Sequence, residues 1–433
     1  MDLIQANAWF AACPDGPADD RELLQQAWKA LGCDGQQVSY VPVAGTAGKT
    51  SVAVMEAEIL QAAGLACGLY CAGSAPLQER IFLRGKAVTA AELERAAKKL
   101  AALPKPLPRA AAELLAACFC FVRGGCVLAV TELSDTLLAP LLPAVPACAV
   151  TRIGADGSGR KLERLARIEA YVMRTGCTAV TSPDQPKAAL TEIIVAAGKA
   201  NCELTVPDSE DVTRRNGRRL ENHMDYGGYE AVVAGLGAHA RANAAIAVEL
   251  ALALWRKGYA IPDEAILSGM AAASARSAAR LLRRRPCVLA DPCRKPLQAQ
   301  ALAALLQEEK FGHLSLIAGL SGCRDPEAFF AALETGLIPE AEKTEKNQLP
   351  GMSDNAIDHL YLVTPDAPDA LRAEVAAEAA RFHFDTAVCA DFAEAARRAE
   401  ADGGEAIVVC GGEAVCRAAQ AHFALKDKRP RKK

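Results

Sequence analysis

No two of the sixteen cysteines form a C-x-x-C pair, and the six histidines are scattered away from them, so nothing in the sequence reads as a zinc site. Several cysteines lie inside apolar runs, as in Phe119-Cys120-Phe121 and Val408-Val409-Cys410, where the thiol behaves as a small hydrophobe. Unpaired thiols in a reducing cytoplasm are therefore expected. The N-terminus shows Asp2 and neither a basic segment nor an apolar core, so no signal peptide is expected. The apolar stretch Ala110–Val122 is too short to span a bilayer, and Val232–Trp255 is interrupted by His239, Arg241, Asn243 and Glu249, so no membrane contact is expected. A net charge of −3 supplies no field that would gather nucleic acid. Aromatic residues make up only 5% of the chain while alanine is abundant, which disfavours an all-β sandwich. Internal repeats and low-complexity tracts are also lacking.

What is present is an alternation of strand-like apolar runs with helix-period segments over 433 residues, which predicts an α/β fold of mostly parallel sheets in more than one domain. Val38–Val43, Cys126–Val130, Ala147–Ile153 and Ala179–Thr181 read as strands, and Thr50–Ala63, Lys161–Met173, Ala238–Lys257 and Pro262–Ala273 as helices. The basic run Arg283-Arg284-Arg285 before Pro286 reads as an exposed connector and divides the chain into 1–284 and 285–433. The αβ rhythm restarts at the strand Cys287–Ala290 and gives a second α/β domain of Rossmann-like type. The polar stretch Glu340–Asn355 reads as a loop, and the basic tail Lys426–Lys433 as a solvated end.

The sharpest local signal is the strand-to-helix turn Gly45-Thr46-Ala47-Gly48-Lys49-Thr50-Ser51. Backbone N–H groups at such a turn, together with a helix N-terminus, form a concave site for phosphate oxygens. Gly45 and Gly48 permit positive φ, Lys49 brings a point charge to the terminal phosphates, and the Thr50 hydroxyl is placed for Mg²⁺. Only two residues separate the first glycine from Gly48-Lys49, so the commoner four-residue spacing does not describe this loop. Glu132 follows the predicted strand Cys126–Val130, at the edge where parallel sheets present functional side chains.

The loop resembles the G-T-N-G-K-G-S turn of folylpolyglutamate and dihydrofolate synthases, within the wider Mur-ligase superfamily. Glu79-Arg80-Ile81 with Gly85 resembles that family's N-E-R-I…G, and Val150-Thr151-Arg152-Ile153-Gly154-Ala155-Asp156 its I-T-S-I-G-L-D-H. Gly237-Ala238-His239 with Asn243-Ala244-Ala245 resembles G-R-H-Q-x-x-N-A-A, and Asp291…Pro296, Val363–Pro368 and Cys410-Gly411-Gly412 follow in the expected order. The resemblance implies a P-loop-type ATPase domain followed by a smaller α/β domain. It also implies a reaction in which ATP and Mg²⁺ activate a folate-like carboxylate as an acyl phosphate, which the amino group of glutamate attacks. A cytoplasmic monomer acting on small molecules is the corresponding expectation.

Carried over position by position, the resemblance gives Lys49, Glu132 and His239 catalytic roles. It gives Gly45 through Ser51 (with Thr46, Ala47, Gly48, Lys49 and Thr50), Asn243, Arg280 and Asp291 nucleotide contacts, and Thr50, Ser74, Glu132, Asp156 and Glu169 metal contacts. The sequence departs from the family at several of these places. The D-H pair is Asp156-Gly157, and the T-S-P-H segment is Cys71-Ala72-Gly73-Ser74, which leaves Ser74 as the replacement hydroxyl. D-G-A-H-N-P is Asp291-Pro292-Cys293-Arg294-Lys295-Pro296, and Glu169 stands where the family carries a carbamylated lysine. A nucleotide-binding homologue without catalysis is thus the alternative reading. A cell-wall Mur-type ligase is a weaker one, disfavoured by the segments around Tyr70 and His239.

Overall fold

The computed structural model describes residues 2–35, 38–73, 75–215, 219–273, 279–337 and 357–427. Ser74, the predicted loop Glu340–Asn355 and the end of the basic tail lie outside the described residues. Among the described residues there are three sheets. The first has eight strands, β1 Ser39–Ala44, β2 Cys67–Tyr70, β3 Ile81–Leu83, β4 Lys86–Ala87, β5 Leu128–Glu132, β6 Ala147–Val150, β7 Thr178–Thr181 and β8 Glu203–Thr205. Their order is β4-β3-β2-β5-β1-β6-β7-β8, parallel throughout except at the β2-β3-β4 edge. A small antiparallel sheet of β9 Thr213–Arg214, β10 His223–Tyr226 and β11 Tyr229–Val232 follows.

Residue alternation explains why the first sheet is covered on both faces. In β1, Val41 and Val43 enter one core with the helices Lys49–Ala62, Ala238–Arg256 and Asp263–Ala272. Tyr40 and Ala44 enter the other, with the Arg109–Arg123 helix and two N-terminal helices, Leu3–Ala12 and Arg21–Leu31. The neighbouring β5 obeys the same rule, with Val130 on the first side and Ala129 on the second. No described helix is long and apolar enough to cross a membrane. No two of the cysteines are joined by a disulfide, although Cys177 and Cys202 bring their sulfurs within 3.1 Å.

The second large sheet has six strands, β12 Arg280–Arg284, β13 Cys287–Asp291, β14 Leu314–Ala318, β15 Ile357–Leu362, β16 Thr386–Val388 and β17 Ala406–Cys410, in the order β12-β13-β17-β14-β15-β16. Its strands are parallel apart from β12, which is hairpinned to β13. The basic run before Pro286 is therefore a sheet edge and not a connector. Arginine suits that place, since Arg283 lays its guanidinium over the Phe423 ring and pairs with Glu400 while charge discourages further strand addition.

Two shifts in strand limits matter for the site. The strand expected over Cys126–Val130 runs two residues further, so Glu132 is its last paired residue, opposite Val43. The strand expected over Ala147–Ile153 stops at Val150. Beyond it the Thr151 hydroxyl donates to the Ala44 carbonyl, and the Arg152 carbonyl accepts from the amides of Thr46 and Ala47, so this backbone braces the loop and leaves the ladder. The strand order reverses around β1, and the crevice at the carboxyl ends of β1, β5 and β6 is where such sheets hold ligands.

Candidate active site

The loop after β1 turns because Gly45 and Gly48 adopt positive φ, 128° and 86°. A side chain on Gly48 would meet Asn243 Oδ1 at 2.4 Å, so the turn packs against Asn243 only as glycine. Gly48 is the N-cap of the Lys49–Ala62 helix and provides no side-chain cap, which leaves the first turn to be satisfied from outside. Lys49 Nζ donates to the Gly45 carbonyl at 2.7 Å, folding the ammonium back over the turn. The Thr46 hydroxyl donates to the Arg152 carbonyl at 3.0 Å and accepts from the Gly154 amide at 2.8 Å.

Glu132 meets this loop from β5. Its Oε2 accepts from the Thr50 hydroxyl at 2.8 Å and from the Ala72 amide at 3.2 Å. Burial raises its pKa, while Lys49 and the two hydrogen bonds pull it back toward the charged form. Glu169 approaches from the other side and accepts from the Gly45 amide at 2.8 Å, with burial again raising its pKa against Lys49 and that hydrogen bond. It sits where the Leu162–Glu169 helix gives way to a 3₁₀ turn, Ala170–Val172, so it faces the loop instead of solvent. For Asp156, burial opposes the charge, but the Ser158 hydroxyl and amide at 2.5 and 2.9 Å outweigh it and hold the pKa below the usual range.

Glu132, Asp156 and Glu169 line one cavity of about 1190 Å³ together with Lys49. They do not close on a single point: among the described residues no three acidic, imidazole or thiol groups converge to hold an ion by themselves. The donor set that does fit Mg²⁺ is the Thr50 hydroxyl with the Glu132 carboxylate, because this ion takes one or two carboxylates and completes its shell with phosphate oxygens and water.

The nucleotide residues named from the sequence separate into two places. Asn243 and Asp291 line a cavity of about 290 Å³ with Gly48, Ser51, Arg152 and His239. His239 thus lies on that side of the loop, half-buried, its pKa pushed down to about 4 chiefly by burial. It does not line either of the two larger cavities that hold Glu132 and Lys49. Arg280 does not line the smaller cavity with Asn243 and Asp291. It belongs to the edge strand β12, and its Nε is buried without a hydrogen-bond partner among the described residues.

Asp291 is 5% exposed, and burial is the main reason its pKa rises to about 7, against the amide of Cys293 at 2.9 Å. An unfolded aspartate loses its proton near 3.8, so between about pH 4 and 7 the native state holds a proton that the unfolded state lacks. Stability must then fall as pH rises through that window and level off above it. Urea unfolding at pH 5 and pH 8 checks this. The Asp291→Asn variant is expected to lose most of the difference, and a wild-type difference that survives intact in the variant refutes the assignment.

One residue of this site was missed in the sequence. Lys295, in the loop after β13, reaches across from the second sheet and donates from Nζ to the Thr46 carbonyl at 2.9 Å. Burial first, then Lys49 and Arg294, push its pKa down to about 8. Its position reads in the sequence as the loss of a family His-Asn pair. The gain of a cation there could have been noticed, but its partner, 249 residues away along the chain, could not.

No family model matches the chain. A curated protein of Halobacterium salinarum, a probable bifunctional folylpolyglutamate synthase/dihydropteroate synthase, is 28% identical in an alignment 353 residues long that covers 74% of this chain and 41% of that protein. The chain thus spans about two fifths of the length of that relative. The solved structure of Mycobacterium tuberculosis folylpolyglutamate synthase complexed with ADP matches with a TM-score of 0.81 at 20% identity, covering 97% of this chain and 98% of that one. This chain has the folylpolyglutamate synthase fold. The bifunctional folylpolyglutamate synthase/dihydrofolate synthase from Yersinia pestis, complexed with AMPPNP and Mn ion, gives a TM-score of 0.77 at 22% identity over 98% of both chains. Likeness to the folylpolyglutamate synthase fold therefore runs through both large sheets, and the departures in sequence concern side chains and not architecture.

Proposed function

We propose that this protein is an ATP-dependent ligase that joins a carboxylate to the amino group of glutamate, with a folate-like molecule as the carboxylate donor. The observation that carries this reading is the Thr50–Glu132 pair, 2.8 Å apart, set beside Lys49 at the uncapped start of a helix. That arrangement gathers what a triphosphate needs: backbone donors, a lysine charge and a hydroxyl–carboxylate set for Mg²⁺. Solved proteins of the same fold support it by what they hold, ADP in one case and Mn, AMPPNP and L-glutamate in another.

In this reading a carboxylate oxygen attacks the γ-phosphorus, the bond from that phosphorus to the bridging oxygen breaks, and ADP departs. The amine of glutamate then attacks the acyl carbon, phosphate leaves, and the amine gives up a proton as the amide forms. A bound Mg²⁺ supplies charge neutralisation on the phosphate oxygens. The chain's own part is to align the reactants and exclude water between the two units. Lys49 holds the terminal phosphates, Thr50 and Glu132 are the metal's protein donors, and Asn243 and Asp291 line the nucleoside side. The two sheets support a division into two units, and we place the seam before Arg280, since β12 pairs within the second sheet.

Glu169 contributes negative charge beside the loop. In Glu169→Gln the amide oxygen can still accept from Gly45, so geometry is kept while charge is lost. The Mg²⁺ concentration for half-maximal turnover is expected to rise roughly tenfold, the scale of a supporting group around a metal. Unchanged metal dependence would remove Glu169 from the site.

Purified protein incubated with ATP, Mg²⁺, glutamate and a reduced folate tests the whole reading. Phosphate released in step with a new amide, detected by mass spectrometry, is the expected result. Nucleotide binding without phosphate release favours the second reading, a homologue that binds nucleotide only. The absence of a three-ligand metal cluster among the described residues is what keeps that reading in play.

A further inference from the structure

We propose that Lys295 is a second phosphate-binding cation, delivered by the C-terminal unit, and that it contacts the terminal phosphate of the nucleotide opposite Lys49. This rests on the ligase reading for its chemistry but not for its binding test. The geometry begins with the 2.9 Å hydrogen bond from Nζ to the Thr46 carbonyl, which fixes the ammonium on the phosphate loop itself. That bond uses one of three N–H donors. The side chain, like that of Lys49, also lines both large cavities beside the loop, of about 770 and 1190 Å³.

The surrounding charges show what such a cation is for. Lys49 and Arg294 repel it, while Asp156 and Glu169 attract it, and Glu132 is held charged in part by it. Two ammonium groups held on one loop repel each other. Glu132, Asp156 and Glu169 supply negative charge beside these groups, and their hydrogen bonds from Thr50 and the Gly45 amide leave that charge in place. A terminal phosphate can accept from the two N–H donors of Lys295 that Thr46 leaves over. Because Lys295 opens the Pro296–Glu308 helix of the second unit while Lys49 opens a helix of the first, a terminal phosphate between them ties the units together when the nucleotide is complete. ADP, lacking that phosphate, engages Lys49 and the loop but not Lys295.

The test compares the binding of ADP and of a non-hydrolysable ATP analogue by calorimetry, in wild type, Lys295→Met and Lys295→Arg. In Lys295→Met the analogue is expected to lose about tenfold in affinity, the scale of one charged contact, with ADP within about twofold of wild type. Lys295→Arg should restore most of the loss. Should Lys295→Met prove unstable, Lys295→Gln, which keeps an N–H for Thr46, gives the same comparison. Equal losses for ADP and the analogue would show that Lys295 only braces the loop and would overturn the proposal, as would no loss for either. If the wild type binds both nucleotides but forms no amide, the ligase reading fails while the binding comparison still decides Lys295. If it binds neither, both fall.

Discussion

Lys49→Ala is expected to reduce ATP turnover by roughly 10³-fold, the upper end for removing one electrostatic contact from a transition state. The side chain is only partly buried and makes one backbone hydrogen bond, to Gly45, so its loss should leave the fold standing. Affinity for ADP should fall by about tenfold, because the uncapped first turn of the helix continues to bind phosphate without it. Arginine at this position should not rescue turnover, since a planar guanidinium cannot fold back over Gly45 as an ammonium does. Phosphate release and calorimetry measure the two effects. Full activity in Lys49→Ala would mean that the loop does not hold the reacting phosphate.

The second large effect concerns stability. Arg80 and Glu113 form a bidentate pair, Nη2–Oε1 2.6 Å and Nη1–Oε2 2.8 Å, with side chains only 7% and 10% exposed. The Tyr70 hydroxyl donates to the same carboxylate at 3.0 Å, and Arg80 Nε donates to the Ala75 carbonyl at 2.7 Å. The Arg80 pKa is still raised, because Glu113 and Tyr70 outweigh a burial that acts to lower it. Glu113→Ala would leave that cation buried without its counter-charge, and such losses cost about 3–5 kcal/mol. Replacing both partners, as in Arg80→Met with Glu113→Leu, should cost much less than either single change, because no orphaned charge remains. Urea unfolding of the two single variants and the double variant checks this; near-additive losses would contradict it. Since Arg80 also donates to the carbonyls of Ala75 and of Cys71, the residue before the Ala72 amide that binds Glu132, the single variants should reduce turnover as well.

Much of the candidate site was legible because it is local. Strand, Gly45–Ser51 and helix are contiguous, and the meaning of a glycine turn before Gly48-Lys49-Thr50 depends on backbone geometry that those residue types alone permit. Glu132 could be placed for the same reason, since a parallel strand delivers its last residue to the ligand edge. The orientation of Glu169 was not legible in this way. The helical pattern around it is amphipathic, but the helix ends at that residue and the following 3₁₀ turn redirects its carboxylate to Gly45. The role of His239 also did not follow from motif order, because sequence adjacency to Asn243 puts both on one side of the loop, away from Glu132.

By itself, the sequence determined the α/β class, the glycine turn Gly45–Ser51 and the strand that leads to Glu132, because period, glycine placement and residue type act over a few neighbouring positions. Only the tertiary structure decided that Lys295 crosses from the second sheet to Thr46, that Arg80 is buried against Glu113, and that the arginine run before Pro286 is a strand. Those facts depend on which surfaces meet when the sheets pack, and contact between residues far apart in the chain leaves no trace in either one's local pattern.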